Sequence, residues 1–106
     1  MVKINHIAFS TTKFDDFRLL LLNIGFTIKK ESGYAPLRQM WFNEGIQLIE
    51  SSVSDNDLIL DHIAFENNCI NTMIDKATSL GCSINSRGSN WLNLTNKVLI
   101  EFVDSK

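Results

Sequence analysis

Two histidines, one glutamine and one glutamate occupy matching places in the two halves of this sequence of 106 residues. They are His6, Gln47, His62 and Glu101. Two imidazoles, one amide oxygen and one carboxylate suit a divalent ion of the Mn, Fe, Co, Ni or Zn group. Four such ligands leave two positions of an octahedral ion open for water or a bidentate substrate. A metal site is therefore the first hypothesis for this set.

An internal repeat makes these positions equivalent. The four residues His-Ile-Ala-Phe occur at His6–Phe9 and again, unchanged, at His62–Phe65. Each copy is followed at the same distance by an apolar-Gly-apolar turn, centred on Gly25 and on Gly81. Two more pairs of segments match, Met40–Asn43 with Asn90–Asn93 and Ile46–Ser51 with Ile100–Ser105. The sequence thus contains two copies of one plan, joined by a polar connector at Ser51–Asp57.

Each half is predicted to begin with one strand and one helix. The repeated segment forms the strand, and apolar residues at helical spacing follow it up to the glycine, which would end the helix with a left-handed cap. These apolar positions are Phe14, Phe17, Leu20, Leu21 and Ile24 in the first half, and Ile70, Met73, Ile74, Ala77 and Leu80 in the second. Thr12, followed three residues later by Asp15, predicts an N-cap for the first helix.

Three short strands are predicted after each helix, because the segments there are rich in apolar, β-branched and aromatic residues. In the first half they are Phe26–Lys30, Leu37–Asn43 and Gly45–Ser51. In the second half they are Cys82–Ser86, Asn90–Asn93 and Val98–Asp104. The chain is therefore predicted to be an α+β protein of two βαβββ modules.

Strand alternation places the four candidate ligands on one face of the strands. The bulky residues Phe9 and Leu48 must lie under the helix, so His6 and Gln47 lie on the opposite face, and the second half follows the same pattern. Glu50 ends the strand of Gln47 and competes as a ligand, but alternation points it away. The competing interpretation of each histidine is a hydrogen-bonded structural residue without a metal.

The two tryptophans give the same face an aromatic character. Trp41 and Asn43 share a strand face, as do Trp91 and Asn93, and Gln39 joins the first pair. A core-facing asparagine would be costly, so this face is predicted to be the pocket side. The set could line a cavity for a planar or partly apolar ligand. Equally, the tryptophans could fill the interior or form a dimer contact.

Composition excludes several classes of protein. Ten Lys and Arg against twelve Asp and Glu give a net charge of -2, and no basic run is present, so nucleic acid is not an expected partner. The longest apolar run, Leu19–Leu22, is too short for a membrane span, and the first residues do not resemble a leader. We expect a cytoplasmic protein whose Cys69 and Cys82 are reduced core or near-core residues.

Two βαβββ halves that each open with His-Ile-Ala-Phe and carry an apolar-Gly-apolar turn resemble the vicinal oxygen chelate superfamily. That superfamily includes glyoxalases, metal-dependent epimerases, fosfomycin-resistance transferases, extradiol dioxygenases and bleomycin-resistance proteins. The resemblance covers nearly the whole chain and implies one domain over residues 1–106, with modules at about 1–53 and 57–106. The modules would form a curved, cup-shaped mixed sheet with helices outside. Leu94–Lys97 departs from the Asp-Pro-Asp-Gly-Asn turn that the family often has.

The resemblance implies that His6, Gln47, His62 and Glu101 are metal ligands, in an order similar to that of methylmalonyl-CoA epimerases. The implied function is a metal-dependent glyoxalase- or epimerase-like lyase or isomerase acting on a small oxygenated substrate. Such chemistry stabilises an oxyanion or enediolate and needs a general base. Glu66 is the candidate base, with Glu101 as an alternative if it leaves the metal. The competing interpretation of Glu66 is a solvated residue at a strand end.

Two other functions remain open at this point. The resemblance also implies a metal-free binding protein of the bleomycin-resistance type, which would hold an aromatic ligand between Trp41 and Trp91. A structural or interaction module that has lost the site is the third possibility. Superfamily members of this size usually pair, so a homodimer is expected.

Overall fold

The protein is represented by a computed structural model that describes residues 2–52, 57–95 and 98–105. The first half contains β1 (Lys3–Thr11), α1 (Phe14–Asn23), β2 (Ile28–Ser32), β3 (Gln39–Phe42) and β4 (Ile46–Glu50). The second half contains β5 (Leu58–Asn67), α2 (Ile70–Ser79), β6 (Ser83–Ile84), β7 (Trp91–Asn93) and β8 (Leu99–Asp104). The predicted α+β class and the βαβββ order of both modules are confirmed. The predicted connector and the turn at Leu94–Lys97 lie partly outside the described residues.

The chain is organised in two compact units, Met1–His6 with His62–Lys106, and Ile7–Asp61. The division falls inside β1 and β5, not at the connector between the modules. The first residues of β1 therefore belong with the second module. As a result, His6 lies in the same unit as His62 and Glu101.

Both units use the same strand pairing. Within Ile7–Asp61 the order is β2-β3-β4-β1, with β1 and β4 parallel and the other neighbours antiparallel. Within the other unit the order is β6-β7-β8-β5, with β5 and β8 parallel. The register also repeats, because Ala8 pairs with Gln47 and Ala64 pairs with Glu101. The repeat in sequence is thus a repeat of topology and register.

Each helix covers the apolar face of the strands in its own module. In the first module Phe14 of α1 forms a buried cluster with Met40, Phe42 and Leu48. In the second module the buried cluster is Leu92, Ile100 and Phe102, and α2 packs against it through Ile70, Met73, Ile74 and Ala77. The strand faces predicted to lie under the helices are confirmed. The alternate residues, including Gln47 and Glu101, consequently occupy the opposite face.

The glycines end the helices as predicted. Gly25 has a φ of 112° and its N–H donates to the carbonyl of Leu22, while the N–H of Phe26 donates to Leu21. Gly81 ends α2 with the same pair of bonds and a φ of 107°. This Schellman arrangement needs a left-handed residue, which favours glycine.

Other local predictions were wrong. The N-cap of α1 is Lys13, without a side-chain cap bond, instead of Thr12 with Asp15. The N–H of Lys13 donates to the hydroxyl of Thr11, at 2.9 Å, and Asp15 is bound to Arg38. Asp15 thus forms a long-range ion pair with Arg38 in place of the predicted capping interaction with Thr12.

Three apolar residues predicted to pack are exposed instead. Leu20, Ile24 and Leu80 are 52%, 63% and 87% exposed. The helices end at Asn23 and Ser79, so Ile24 and Leu80 are cap residues beyond the packed stripe. Cys69 is also exposed, which corrects its near-core placement, although both cysteines are free as predicted. In the described part of the chain, no helix has the length and apolar character needed to cross a bilayer.

Arg38 ties α1 to the end of β4. Its guanidinium donates to both carboxylate oxygens of Glu50, at 2.9 and 2.7 Å, and to Asp15 at 2.8 Å. It also lies over the ring of Phe14, 4.6 Å from the ring centroid. The hydrogen bonds from Arg38 hold the pKa of Glu50 below its ordinary value. Glu50 is thereby engaged on the helix side, away from Gln47.

This lowered pKa predicts acid sensitivity. The carboxyl is more acidic in the folded than in the unfolded chain, so its contribution to stability is full above the unfolded pKa of about 4.3. That contribution is lost as the pH falls through the lower folded pKa. We expect the urea midpoint to fall less between pH 6 and 3 for Glu50→Gln than for the wild type, measured by circular dichroism. Asp16→Asn, at an exposed carboxylate of α1, controls for charge; equal pH dependence in all three proteins would contradict the prediction.

Candidate metal centre

Three of the four predicted ligands lie together in one unit. The Nε2 atoms of His6 and His62 are 3.1 Å apart. Oε1 of Glu101 lies 3.7 Å from Nε2 of His6 and 3.5 Å from Nε2 of His62. The three side chains come from β1, β5 and β8, and their donor atoms all lie within 4.8 Å of one another.

These separations fit a single divalent ion. The three distances define a point about 2.0 Å from each donor atom, which matches the 2.0–2.2 Å of Zn–N and Zn–O bonds. Two imidazoles and one carboxylate would hold such an ion and leave further positions open for other ligands. The types of donor atom and the distances between them therefore both suit one divalent ion.

Asn5 fixes the orientation of the His6 ring. Nδ1 of His6 is 2.6 Å from Oδ1 of Asn5, which can only accept a hydrogen bond. This acceptor favours the tautomer of His6 with the proton on Nδ1, which leaves the lone pair of Nε2 directed toward His62 and Glu101. Metal-binding histidines need such a second partner to select the tautomer.

Trp91 holds His62 in place. The two rings meet edge to face, with centroids 4.6 Å apart and an interplanar angle of 77°. His62 is only 3% exposed, so its ring has little freedom to turn away. Trp91 is also the pairing partner of Glu101 across β7 and β8. One aromatic side chain thus borders two of the three donors.

Burial raises the pKa of Glu101 above its ordinary value, and electrostatic interactions with His62 and Arg87 act in the opposite direction. Its side chain is 19% exposed. A desolvated carboxylate is stabilised by a nearby cation, because the attraction offsets the cost of removing water. The environment of Glu101 therefore favours a bound positive ion.

Gln47, the fourth predicted ligand, lies in the other unit. It is 5% exposed on β4, and its Nε2 donates to Oε1 of Gln39 at 3.0 Å. This bond fixes the orientation of the amide. The role of Gln47 as a ligand stays a prediction.

The predicted pocket residues are divided between the two units. Trp41 lies beneath Lys30, whose Nζ is 5.0 Å from the ring centroid. Asn43 donates to the hydroxyl of Thr27, at 3.0 Å. Asn93 accepts from Asn85 and donates to Ser83. The two asparagines thus bind residues in or next to neighbouring strands, and their role toward a ligand stays a prediction.

Glu66, the predicted general base, lies farther along β5. At about 3.3 Å per residue it is roughly 13 Å along the strand from His62. It lines a cavity of about 360 Å³ together with Lys3, Asn68 and Ser105. Its assignment to the reaction stays a prediction.

No protein-family model and no curated protein sequence matches this chain. Solved structures do match it. A hypothetical protein from Bacillus halodurans C-125 is 16% identical over 99% of this chain and 95% of its own, with a TM-score of 0.74. A methylmalonyl-CoA epimerase in complex with methylmalonyl-CoA and NH4+ is 19% identical over 99% and 95%, with a TM-score of 0.72. The epimerase of Streptomyces coelicolor, as a variant with 2-nitronate-propionyl-CoA, is 18% identical over 97% and 94%, with a TM-score of 0.71.

The chain has the vicinal oxygen chelate fold. The resemblance drawn from the repeated segments is confirmed at the level of fold. At these sequence identities, the matches show a shared backbone fold and do not show a shared reaction.

Two residues beside the candidate site were not predicted from the sequence. Asn5 contacts His6, and Arg87 stacks on Trp91. A signal for Asn5 was present, because an oxygen-bearing side chain precedes each histidine of the repeat, Asn5 before His6 and Asp61 before His62. Arg87 had no such signal, since it lies in a turn without a counterpart in the matched segments.

The hydrogen bond from His6 to Asn5 yields a prediction. Asn5→Ala is expected to weaken Zn²⁺ binding by about 10-fold or more, because partners that orient metal-bound histidines commonly contribute 10- to 100-fold. Competition with a chromophoric chelator would measure the affinity. Asn43→Ala, which removes an asparagine from the other unit, should leave it unchanged. Equal affinities for Asn5→Ala and the wild type would show that this bond has no role.

Proposed function

We propose that this chain is a metal-dependent lyase or isomerase of the glyoxalase or epimerase type, acting on a small oxygenated substrate. The observation that carries the proposal is the convergence of Nε2 of His6, Nε2 of His62 and Oε1 of Glu101 around one point. Three donors of this chemistry, about 2 Å from a common centre, suit Mn, Fe, Co, Ni or Zn. The shared fold with methylmalonyl-CoA epimerases supports the same reaction class.

Each residue of the site has a distinct part in this proposal. His6 and His62 supply neutral nitrogen donors, Glu101 supplies the negative charge, and Gln47 would supply an amide oxygen. When bound, the ion supplies Lewis-acid polarisation of substrate oxygens. Asn5 keeps the lone pair of His6 directed at the centre. Trp91 packs edge to face against the buried ring of His62 and limits its rotation.

Proton transfer needs a further group. We propose Glu66 as the general base, since it is the carboxylate on the His62 face of β5 and Glu101 is occupied as a ligand. Because Glu66 lies roughly 13 Å along β5 from His62, this role requires a substrate whose acidic carbon extends that far from the donor cluster. For a shorter substrate the alternative general base is Glu101, provided that its own carboxylate leaves the metal during turnover.

The proposed partner is a small molecule, with a homodimer as the proposed assembly and the cytoplasm as the proposed location. Nucleic acid is not proposed as a partner, because a net charge of -2 is unfavourable for binding a polyanion.

Metal analysis is the direct test. The wild type, after incubation with Mn, Co, Ni or Zn and removal of excess metal, is expected to retain near-stoichiometric ion. His6→Ala/His62→Ala and Glu101→Gln should lose it, because each removes donors from the cluster. Glu66→Gln is a matched control, being the same substitution at a carboxylate of the same unit, and should retain the ion. Circular dichroism melts establish that the variants fold.

Absence of metal from the wild type, or retention by the double variant, would rule out the metal mechanism. The metal-free binding function would then be tested by quenching of Trp41 and Trp91 fluorescence with aromatic ligands. If the metal binds, 2-oxoaldehydes and epimerisable acids are the substrates to screen.

The assignment of Glu66 is tested by the activity of the loaded enzyme on a substrate from that screen. Loss of a general base typically costs 10²- to 10⁴-fold in rate, so Glu66→Gln is expected to lower kcat by about 100-fold or more. The metal content should be unchanged. A kcat within about 2-fold of the wild type would exclude Glu66 as the base and leave Glu101 as the candidate.

A further inference from the structure

The connection between β6 and β7 is shorter than its counterpart in the first module. Trp41 follows Ile28 by 13 positions, but Trp91 follows the matching Ile84 by only 7. The first module uses part of this length for the longer strand β2, whereas the second module turns tightly over residues 85–90. This short turn therefore lies directly before the tryptophan that borders the donor cluster.

Asn85 organises this turn through four hydrogen bonds. Its side-chain Oδ1 accepts from the N–H of Arg87 at 3.0 Å, which is an Asx turn, and its Nδ2 donates to Oδ1 of Asn93 at 2.8 Å. Its backbone N–H donates to the carbonyl of Trp91 at 2.7 Å, and its carbonyl accepts from the N–H of Gly88 at 3.2 Å. One half-buried side chain thus joins the turn to both ends of β7.

The turn in turn fixes Trp91. The N–H of Trp91 donates to the carbonyl of Gly88 at 3.1 Å, so its backbone is bonded to the turn on both sides. A Cβ at Gly88 would lie 3.2 Å from Cδ1 of Trp91, which shows that the turn packs closely against the edge of the indole. The guanidinium carbon of Arg87 lies 5.2 Å from the ring centroid. A change in the turn must therefore move the indole.

A displaced indole would disturb the donor atoms. Trp91 meets the buried ring of His62 at 4.6 Å between centroids, and it pairs with Glu101 across β7 and β8. The end of the turn is also tied to β8, since Asn90 exchanges hydrogen bonds with the backbone of Phe102, at 2.8 and 3.0 Å. The direction of Nε2 of His62 thus depends on where the turn holds the indole.

We propose that Asn85 is a positioning residue of the metal centre, which holds Trp91 against His62 and thereby sets the direction of the metal-binding nitrogen. This inference rests on the proposed function, because it concerns the same centre. Lys29 occupies the matching position of the first module, where Trp41 lies beneath Lys30. The arrangement therefore belongs to the module that supplies His62 and Glu101.

The test uses Co²⁺ as the probe ion. Its affinity is measured by competition with a chromophoric chelator, and its visible d–d bands report the geometry of the ligands around it. The variants are Asn85→Ala and Asn85→Ser. Asn43→Ala is the matched control, since Asn43 is an asparagine of the other unit that also bonds a neighbouring side chain. Circular dichroism melts establish that each variant is folded at the temperature of the measurement.

Asn85→Ala is expected to weaken Co²⁺ binding about 3-fold or more and to change the d–d bands, because the effect reaches the ligand through one intervening residue. Asn85→Ser should recover part of both, since a serine hydroxyl can accept the same N–H of Arg87, although more weakly. Asn43→Ala should match the wild type. A merely structural role for Asn85 would lower the melting temperature and leave the bands of the folded protein unchanged.

A double-mutant cycle tests the path through Trp91. If Asn85 acts through the indole, Asn85→Ala should have little further effect on Co²⁺ affinity once Trp91→Leu has removed the ring. Trp91→Phe replaces Trp91→Leu in the cycle if the leucine variant does not fold. Equal effects of Asn85→Ala with and without the indole would show that Asn85 does not act through Trp91.

Two further outcomes would overturn the inference. If Asn85→Ala matches the wild type in Co²⁺ affinity and in the d–d bands, Asn85 does not position the centre, while the proposed function stands. If the wild type binds neither Co²⁺ nor another divalent ion, the proposed function fails, and the inference fails with it.

Discussion

The parallel pairing of β5 with β8 is the constraint on which the candidate site depends. Its register places Ala64 opposite Glu101, which puts the carboxylate two residues from His62 on the same strand face. A parallel pair needs a long crossover, and here α2, β6 and β7 form it. A shift of one residue in this register would turn Glu101 toward the helix and remove it from the imidazoles. Ile100 and Phe102 oppose such a shift, because both side chains would then leave their apolar cluster with Leu92.

The same packing explains why polar groups can be buried on the opposite face. The helices take up the large apolar side chains, so the other face is left with His62, Gln47 and small residues such as Ala8 and Ala64. Buried polar groups need hydrogen-bond partners, and neighbouring polar side chains of varying exposure form such bonds here. Asn5 binds His6, and Gln39 binds Gln47. These hydrogen bonds satisfy the polar side chains and thereby also fix the orientation of the candidate ligand atoms.

Arg38 and Arg87 have different surroundings. Arg38 is joined directly to Glu50 and Asp15, so its charge is neutralised locally and serves to fasten α1 to β4. Arg87 stacks on the ring of Trp91, with its Cζ 5.2 Å from the ring centroid. The carboxylate of Glu101 is left half-buried, with its pKa raised by desolvation. One arginine thus fastens a helix to a strand, and the other packs against the tryptophan that borders the donor cluster.

The sequence by itself determined the order of the elements, the core face of each strand and the two helix-ending glycines. It could do so because these features depend on local periodicity and on the left-handed backbone that only glycine adopts freely. The candidate ligands His6, His62 and Glu101 were likewise evident from the repeat, but their distances were not. Only the tertiary structure decided that the start of β1 joins the second module, which brings His6 to His62. It also decided that Asp15 binds Arg38 instead of capping α1, that Ile24 and Leu80 lie beyond the packed helix turns, and that Arg87 covers Trp91. Each of these depends on contacts between residues far apart in the chain or on where a helix ends, neither of which residue periodicity encodes.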